Sequence, residues 1–536
     1  MRTPLAVACA ALALPLALSG CTTPAGTTPA TDQLVLATAD DLGEFNPVAG
    51  YSSNGVSPLY EGLLRPAAVD DTQLPELEPA LAAEAPQVSD DGRTWTVQLR
   101  EGVRFHDGTD LDSSDVAATY RAVLDPASAS PIADDYQLID RIDTPDPLTV
   151  QFHLDAPNRE FSSRLLIGIA PSERLTGGPA TDSTLNTDPA GTGPFLLEKV
   201  SPTEAVLAAN PDYRDGAPDL DTVVLRSVPD DNARAQQLLA GQIHGAALPP
   251  RLADSVDGRD GVTVHSVNSA DWRGVSLPAG HPLTGDPAAR RALNMAVDRD
   301  ALVEQVLSGH GEVATTPITN AYTEHVPVQF GYGDPTTRVF EASGILRAAG
   351  WELDDESKVR FRDGQRAELT VAYPVNDSLR RELASAFSDQ MRLLGVDVTL
   401  WGASWDEIED RADEVAIMLG GGDNPYTVDT QARRALHSRT PTSGPFDNPG
   451  NWSNPDIDQA LDALTDPANS RSSLDLYAQV QQAYGEDPGY VILATLRHTY
   501  ATRDIGFSGP APILEPHAHG VTWGPWWSLA DWQNAE

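Results

Sequence analysis

The sequence predicts an α/β protein of more than one domain, and three observations carry that expectation. Apolar residues recur with helical spacing in some segments and alternate in others, and the two kinds of segment interleave along the chain. The chain has 536 residues, enough for several domains. Its composition, 40% hydrophobic and 21% charged, is that of a globular body with a packed core.

Residues 34–38 read as an opening strand, and residues 51–65 as a helix ending near Gly62. After the turn signal at Asp90, Asp91 and Gly92, residues 94–99 alternate, with Trp95, Val97 and Leu99 on one face. A helix starts near Leu111 with Asp112 or Ser113 as its cap, and residues 149–154 alternate again. Gly191-Thr-Gly-Pro-Phe195 is a turn entering a strand, residues 222–226 are a strand, and residues 231–240 a helix. In residues 286–298, Asp286 is the N-cap and Pro287 the first helical position. Ala289, Ala292, Leu293, Ala296 and Val297 line one face of that helix. A further helix near residues 340–346 stops at Gly350, a long helix covers 379–394, and a strand follows at 395–400. No fixed-period repeat is present.

The formal charge is −42, from 36 basic and 78 acidic residues. Nucleic-acid binding needs clustered Lys and Arg, so that class of partner is excluded, and the acidity reads as solubility and self-repulsion. The only lysines, Lys199 and Lys358, follow Glu198 and Ser357, which rules out a phosphate loop needing Gly before Lys. No G-x-S-x-G or H-E-x-x-H motif occurs. Gly420, Gly421 and Gly422 lack dinucleotide-fingerprint spacing, with Pro425 where the last glycine should stand. The acid pairs Asp70-Asp71 and Asp354-Asp355 read as solvated turns rather than glycosidase carboxylates. With no convincing catalytic set, the sequence points to a binding protein that needs no cofactor.

Arg2 is the only charge before an apolar run over residues 5–18, which ends in Leu18-Ser19-Gly20-Cys21. A positive start, a short apolar stretch and small residues before a cut site make residues 1–20 an export signal, too short to span a bilayer comfortably. Cys21 resembles the cysteine of a bacterial lipobox. Cleavage before it and diacylation of its thiol would anchor the protein on the outer face of the cell membrane. Ordinary secretory cleavage beside a chance cysteine is the alternative. Residues 21–32, rich in Thr, Pro, Ala and Gly, read as a tether. Cys9 is the only other cysteine, so the body has no thiol for a disulfide, a nucleophile or a metal.

Several blocks together resemble the family 5 extracellular solute-binding proteins, which include oligopeptide-, dipeptide- and nickel-binding proteins. These are Leu59-Tyr-Glu-Gly-Leu63, Pro79-Ala-Leu-Ala82, the run from Asp91 to Thr109 with Asp115-Val116, Gly191–Phe195, and Asn210-Pro-Asp-Tyr213. Arg290–Asp298, Ala349-Gly-Trp351, Asn454–Asp458 and Leu476–Gln481 follow in the family's order. The resemblance runs from about residue 34 to the C-terminus. It implies a periplasmic-binding-protein-like class II (cluster C) fold of two lobes, an extra domain and an interlobe ligand cleft. Lobe I is placed at 33–56, 191–275 and 503–536, the extra domain at 57–190, and lobe II at 276–502. The implied function is ligand capture for an ABC importer, with a permease as partner and the receptor itself a monomer.

For a peptide ligand the resemblance points to Asp423, where relatives place an aspartate that pairs with the ligand's α-ammonium. Here the upstream tryptophan is replaced by Met418-Leu419 and the loop is shortened, so a turn-capping role before Pro425 stays open. Trp401 and Trp405 are candidate cleft walls or core. Tyr51, Asn54 and Trp272 follow strands at lobe edges and are further candidates. Gly102 and Gly108 suit tight turns around Phe105, His106 reads as structural, and Gly191 and Gly193 mark a backbone bend. His517 and His519 fall on one face of an extended segment and form the candidate set for nickel or a metal chelate. Trp523, Trp526, Trp527 and Trp532 read as core docking the chain end, or as a carbohydrate platform. Three readings remain: a peptide receptor, a nickel or metal-chelate receptor on the same fold, and a secreted hydrolase.

Overall fold

A computed structural model describes residues 33–534 apart from 159, 442, 466–468 and 519. The expected export signal, the tether with Cys21, and His519 lie outside the described residues.

One 11-stranded sheet organises the molecule. In chain order its strands are β1 (Gln33–Thr38), β2 (Phe195–Ser201), β3 (Glu204–Ala209), β4 (Thr222–Ser227), β5 (Gly245–Ala247) and β6 (Val262–Ser276). They continue with β7 (Gly311–Val313), β8 (Glu368–Pro374), β9 (Asp397–Ala403), β10 (Ala416–Gly421) and β11 (Tyr490–Arg503). The spatial order is β9-β8-β10-β6-β11-β5-β1-β4-β3-β2, with β7 beside β11. β1 runs parallel to β4 and β5, and β8 parallel to β9 and β10, so each half carries its own parallel set.

β6 and β11 are 15 and 14 residues long and pair antiparallel along most of their length. The first part of β6 pairs with the part of β11 that also holds β5, whereas its last residues pair with β10. Both strands therefore pass from one lobe into the other. Their pairing is irregular between Asn268 and Trp272 and between Arg273 and Gly274. Strand ends are the visible punctuation in a sequence, and a strand shared by two domains has none at the boundary.

Local sequence explains most elements. The helix Pro287–Ala296 starts on Asp286, whose Oδ1 accepts from the Ala288 amide at 2.9 Å. Its apolar face is buried as expected, with Ala289, Ala292 and Leu293 fully enclosed. Trp523, Trp526 and Trp532 pack with Leu34, Leu36 and Phe195 in the lobe I core, as the core reading of the chain end requires. Burying one such side chain contributes roughly 1.5–3 kcal/mol.

In the extra region an antiparallel sheet joins Gln87–Val88, Thr94–Gln98, Thr149–Leu154 and Ile139–Asp146. The helix Ser113–Leu124 covers it, capped reciprocally by Asp112 and Asp115. Gly102 and Gly108 adopt left-handed φ of 73° and 87°, as tight turns around Phe105 demand. Gly191 and Gly193 are needed for another reason. A Cβ on Gly191 would lie 2.0 Å from the Leu59 carbonyl oxygen, so here the chain passes directly against a second backbone. His106 ties the same crossing, with its amide donating to Gly191 O at 2.8 Å and its Nε2 3.0 Å from Gly193 O. It is structural, as read.

One expected element is absent. Residues 51–63 form turns and irregular chain rather than a helix. Gly50 and Gly55 take positive φ, and Pro58 has no amide to donate. The carbonyls of Leu59 and Glu61 accept instead from Gly193 and Ile169, so long-range partners hold this backbone extended.

Candidate ligand-binding cleft

In open parallel sheets, ligands bind beyond the carboxyl ends of the strands. Here the C-terminal ends of β1 and β4 in one lobe face those of β8 and β9 in the other, across a cleft of about 730 Å³. Lobe I lines it with residues 37–41 and with Pro229 and Leu248, and lobe II with residues 374–380 and Trp405. Two helices begin at its edges, α1 (Asp231–Leu239) and α2 (Ser378–Leu394). Ser378 Oγ donates to Asp231 Oδ2 at 2.6 Å, so the lobes touch where these helices start.

The floor is a buried polar cluster built from the two crossing strands and the C-terminal segment. Asp271 and Arg273 on β6 form an ion pair, and both are almost fully enclosed. Asp271 also accepts from His498 Nε2 on β11 at 3.0 Å and from His517 Nδ1 at 2.7 Å. His498 Nδ1 donates to Glu515 Oε2 at 2.5 Å, and Glu515 accepts in addition from Tyr500 OH at 2.8 Å. Burial alone would push His498 down, but its hydrogen bonds to Asp271 and Glu515, with their charges, outweigh burial and raise it to about 9. Burial likewise works against the Asp271 carboxylate, and Arg273, His517 and His498 overcome it, holding Asp271 well below the usual range. Glu515 moves the other way, raised by burial. His498 is therefore an imidazolium clamped between two carboxylates, a strut between strands. Removing one partner of such a buried set costs about 3–5 kcal/mol.

Arg380, on the first turn of α2, extends the cluster to the cleft wall. Its Nη1 donates to Asp377 at 2.5 Å, its Nη2 lies 3.4 Å from His517 Nε2, and its guanidinium sits 5.5 Å from the Trp405 ring centroid. Asp377 opposes its own burial through Arg380 and Arg273 and stays below the usual carboxylate range.

The residues singled out in the sequence are scattered. Trp405 lines the cleft, 37% exposed, with its ring edge-on to Phe446. Trp401 on β9 is half-buried under the Arg411 guanidinium, outside the cleft. Tyr51 packs against Phe45 and Tyr60 at the margin of the lobe I core, burial raises it to about 12, and it does not line the cleft. Asn54 offers its carbonyl to Tyr426 OH at 3.1 Å, an interlobe contact rather than a ligand contact.

Trp272 is buried beside Tyr490, and with Asp423 it borders a separate cavity of about 80 Å³. Asp423 is half-exposed there, with its Oδ2 3.5 Å from Arg434 Nη1. It does not line the 730 Å³ cleft. His517 is held by Asp271 and Arg380. Among the described residues, no group of three or more His, Cys, Asp or Glu is arranged to hold a metal ion.

Sequence reading missed Arg273, Arg380 and His498. Arg380 carried a signal, as Asp377 and Arg380 open the helix after a strand ending in Pro374, at the edge where such sheets bind ligands. Arg273 and His498 sit in strands whose role depends on where they cross, and nothing local marks them.

The fold and cleft define a class: a two-lobed protein that encloses a small ligand between halves joined by shared strands. A profile described as bacterial extracellular solute-binding proteins, family 5 Middle, matches residues 76–443. Protein XP55 of Streptomyces lividans is 36% identical over 517 residues, covering 94% of this chain and 91% of that protein. In shape, NikZ from Campylobacter jejuni in complex with Ni(L-His) superposes with a TM-score of 0.82 at 23% identity, covering 94% of this chain and 99% of that one. AppA from Bacillus subtilis in complex with a nonapeptide gives 0.77 at 22%, covering 95% and 100%. The chain belongs to the family 5 bacterial extracellular solute-binding proteins. No helix among the described residues is long and apolar enough to cross a membrane.

Proposed function

We propose that this protein is the receptor of an ABC importer, that a lipid on Cys21 holds it at the outer face of the cell membrane, and that it captures small peptides between its lobes for delivery to the permease. The observation that carries this reading is the cleft itself. It is walled by both lobes at the carboxyl ends of their parallel strands, and its volume falls within the ~300–1,000 Å³ usual for small-ligand sites. Closure distinguishes the loaded from the empty receptor by shape, and a ligand drives it only through contacts made better in the closed state. The residues around the cleft bind and enclose: Ser378 is spent on Asp231, and both ring nitrogens of His498 on carboxylates. The hydrolase reading gains nothing from the family assignment.

Native mass spectrometry of the protein purified from its own host tests the proposal. A ladder of peptide masses that disappears on unfolding and refolding is expected. The second reading, a nickel or metal-chelate receptor resting on His517 and His519, predicts a single metal-containing adduct. An adduct of that kind in place of peptides would overturn the peptide reading.

A further inference from the structure

Away from the ion pairs of the cleft floor, three side chains from separate parts of the chain form one line of hydrogen bonds. Ser266 Oγ on β6 lies 2.8 Å from His310 Nδ1, and His310 Nε2 lies 3.0 Å from Asp254 Oδ1. Asp254 belongs to the helix Pro250–Val256, and His310 directly precedes β7. A carboxylate can only accept, so in the neutral imidazole Nε2 carries the proton and Nδ1 is the acceptor facing the serine hydroxyl. A hydroxyl, a base within hydrogen-bond reach and a third group orienting that base are the parts of an activated nucleophile. Ser266 is exposed and His310 half-buried, so reagents in solution reach the hydroxyl. The backbone adds a donor. Ser266 stands opposite Thr499 of β11, whose carbonyl accepts from the Leu248 amide on the other side of that strand. The Ser266 amide therefore turns away from β11, as do those of Val264 and Asn268, which Asp257 and Asp71 take. β10 pairs with β6 from Trp272 onward, so the Ser266 amide points to an open edge. An amide beside the attacking oxygen suits the oxyanion that forms when a carbonyl is attacked.

We infer that Ser266 is a nucleophile for acyl transfer from unhindered carboxylic esters, with His310 as its general base and Asp254 positioning that base. Ser266 Oγ bonds to the ester carbonyl carbon while its proton passes to His310 Nδ1. The bond from that carbon to the alcohol oxygen then breaks, and the alcohol leaves with the proton. Water, giving a proton to the same imidazole, attacks the acyl-serine; the acid departs and the proton returns to Ser266 Oγ. Water is the only co-reactant. The histidine is 44 residues from the serine and 56 from the aspartate, so no local motif marks the set.

The experiment treats the purified full-length protein with a fluorophosphonate probe, locates the adduct by peptide mass spectrometry, and follows hydrolysis of p-nitrophenyl acetate. The adduct is expected on Ser266, and Ser266→Ala should remove both the adduct and the hydrolysis above background. His310→Ala should slow hydrolysis roughly 100-fold, within the range of a general base, and imidazole added to the solution should restore part of the rate. Asp254→Asn should also lower the rate, with Asp254→Glu recovering part of it. Labelling of the wild type spread over many surface serines, or hydrolysis that survives Ser266→Ala, overturns the assignment. A His310→Ala loss that imidazole does not restore overturns it as well, because it makes the histidine a strut between strands and not a base.

Discussion

At the scale of single residues, His498 shows how a buried charge is made tolerable. Its ring is enclosed and lies within hydrogen-bonding distance of carboxylates on both sides. A histidine whose folded value is raised from 6.5 to about 9 contributes stability that is fully present below pH 6.5 and is lost as pH rises through 9. The size is roughly 3 kcal/mol from the linkage relation. Denaturant unfolding between pH 6 and 9.5 should show this decline in the wild type, and His498→Gln should be less stable at pH 6 with that part of the slope removed. Identical slopes would show that the imidazole is neutral in the folded protein.

At the scale of elements, the segment leading into α3 (Val428–Leu436) fastens lobe II to the extra region. Asn424 Nδ2 donates to Ser163 O at 2.9 Å, and Tyr426 packs against the core of that region while its hydroxyl donates to Asn54 O. Glu160 lies in the same contact, with Asp429 and Glu324 of lobe II and Arg164 around it. Burial first, and then the charges of Asp429 and Glu324, raise it from 4.5 to about 7. A carboxyl raised in this way penalises the contact when ionised. The penalty is complete above pH 7 and relaxes as pH falls from 7 toward 4.5. Ligand affinity, which includes closure of this contact, should therefore strengthen on acidification from pH 7.5 to 5.5. Glu160→Gln should flatten that trend, as read by titration at each pH, and an unchanged trend in the variant would remove Glu160 from it.

At the scale of the whole molecule, lobe motion must pass through β6 and β11, because both strands continue across the boundary. The Ser378–Asp231 contact marks the opposite edge, where the lobes meet without a covalent link. The only cysteines of the chain are Cys9 and Cys21. A Ser378→Cys/Asp231→Cys pair would thus place the only thiols in the described body across the cleft. Oxidation should stop ligand exchange and reduction should restore it, followed by stopped-flow displacement of a bound peptide. Exchange that continues in the oxidised, cross-linked protein would show that this edge is not the way in.

Much of this was legible in sequence because it depends on neighbours in the chain. The Asp286 cap with its apolar helical face, the alternation around Trp95, and the turns at Gly102 and Gly108 are set by periodicity and backbone preference. The motif blocks established the family through their order over nearly the whole body. Residues 51–63 were misread because their backbone is held by partners more than 100 residues away. Trp405 lines the larger cleft, whereas Asp423 and Trp272 border a different cavity. Arg273, Arg380 and His498 come together only because β6, β11, α2 and the C-terminal segment converge. Charge pairing in a buried site depends on distance in space, and that distance is decided by how strands far apart in the chain are brought side by side.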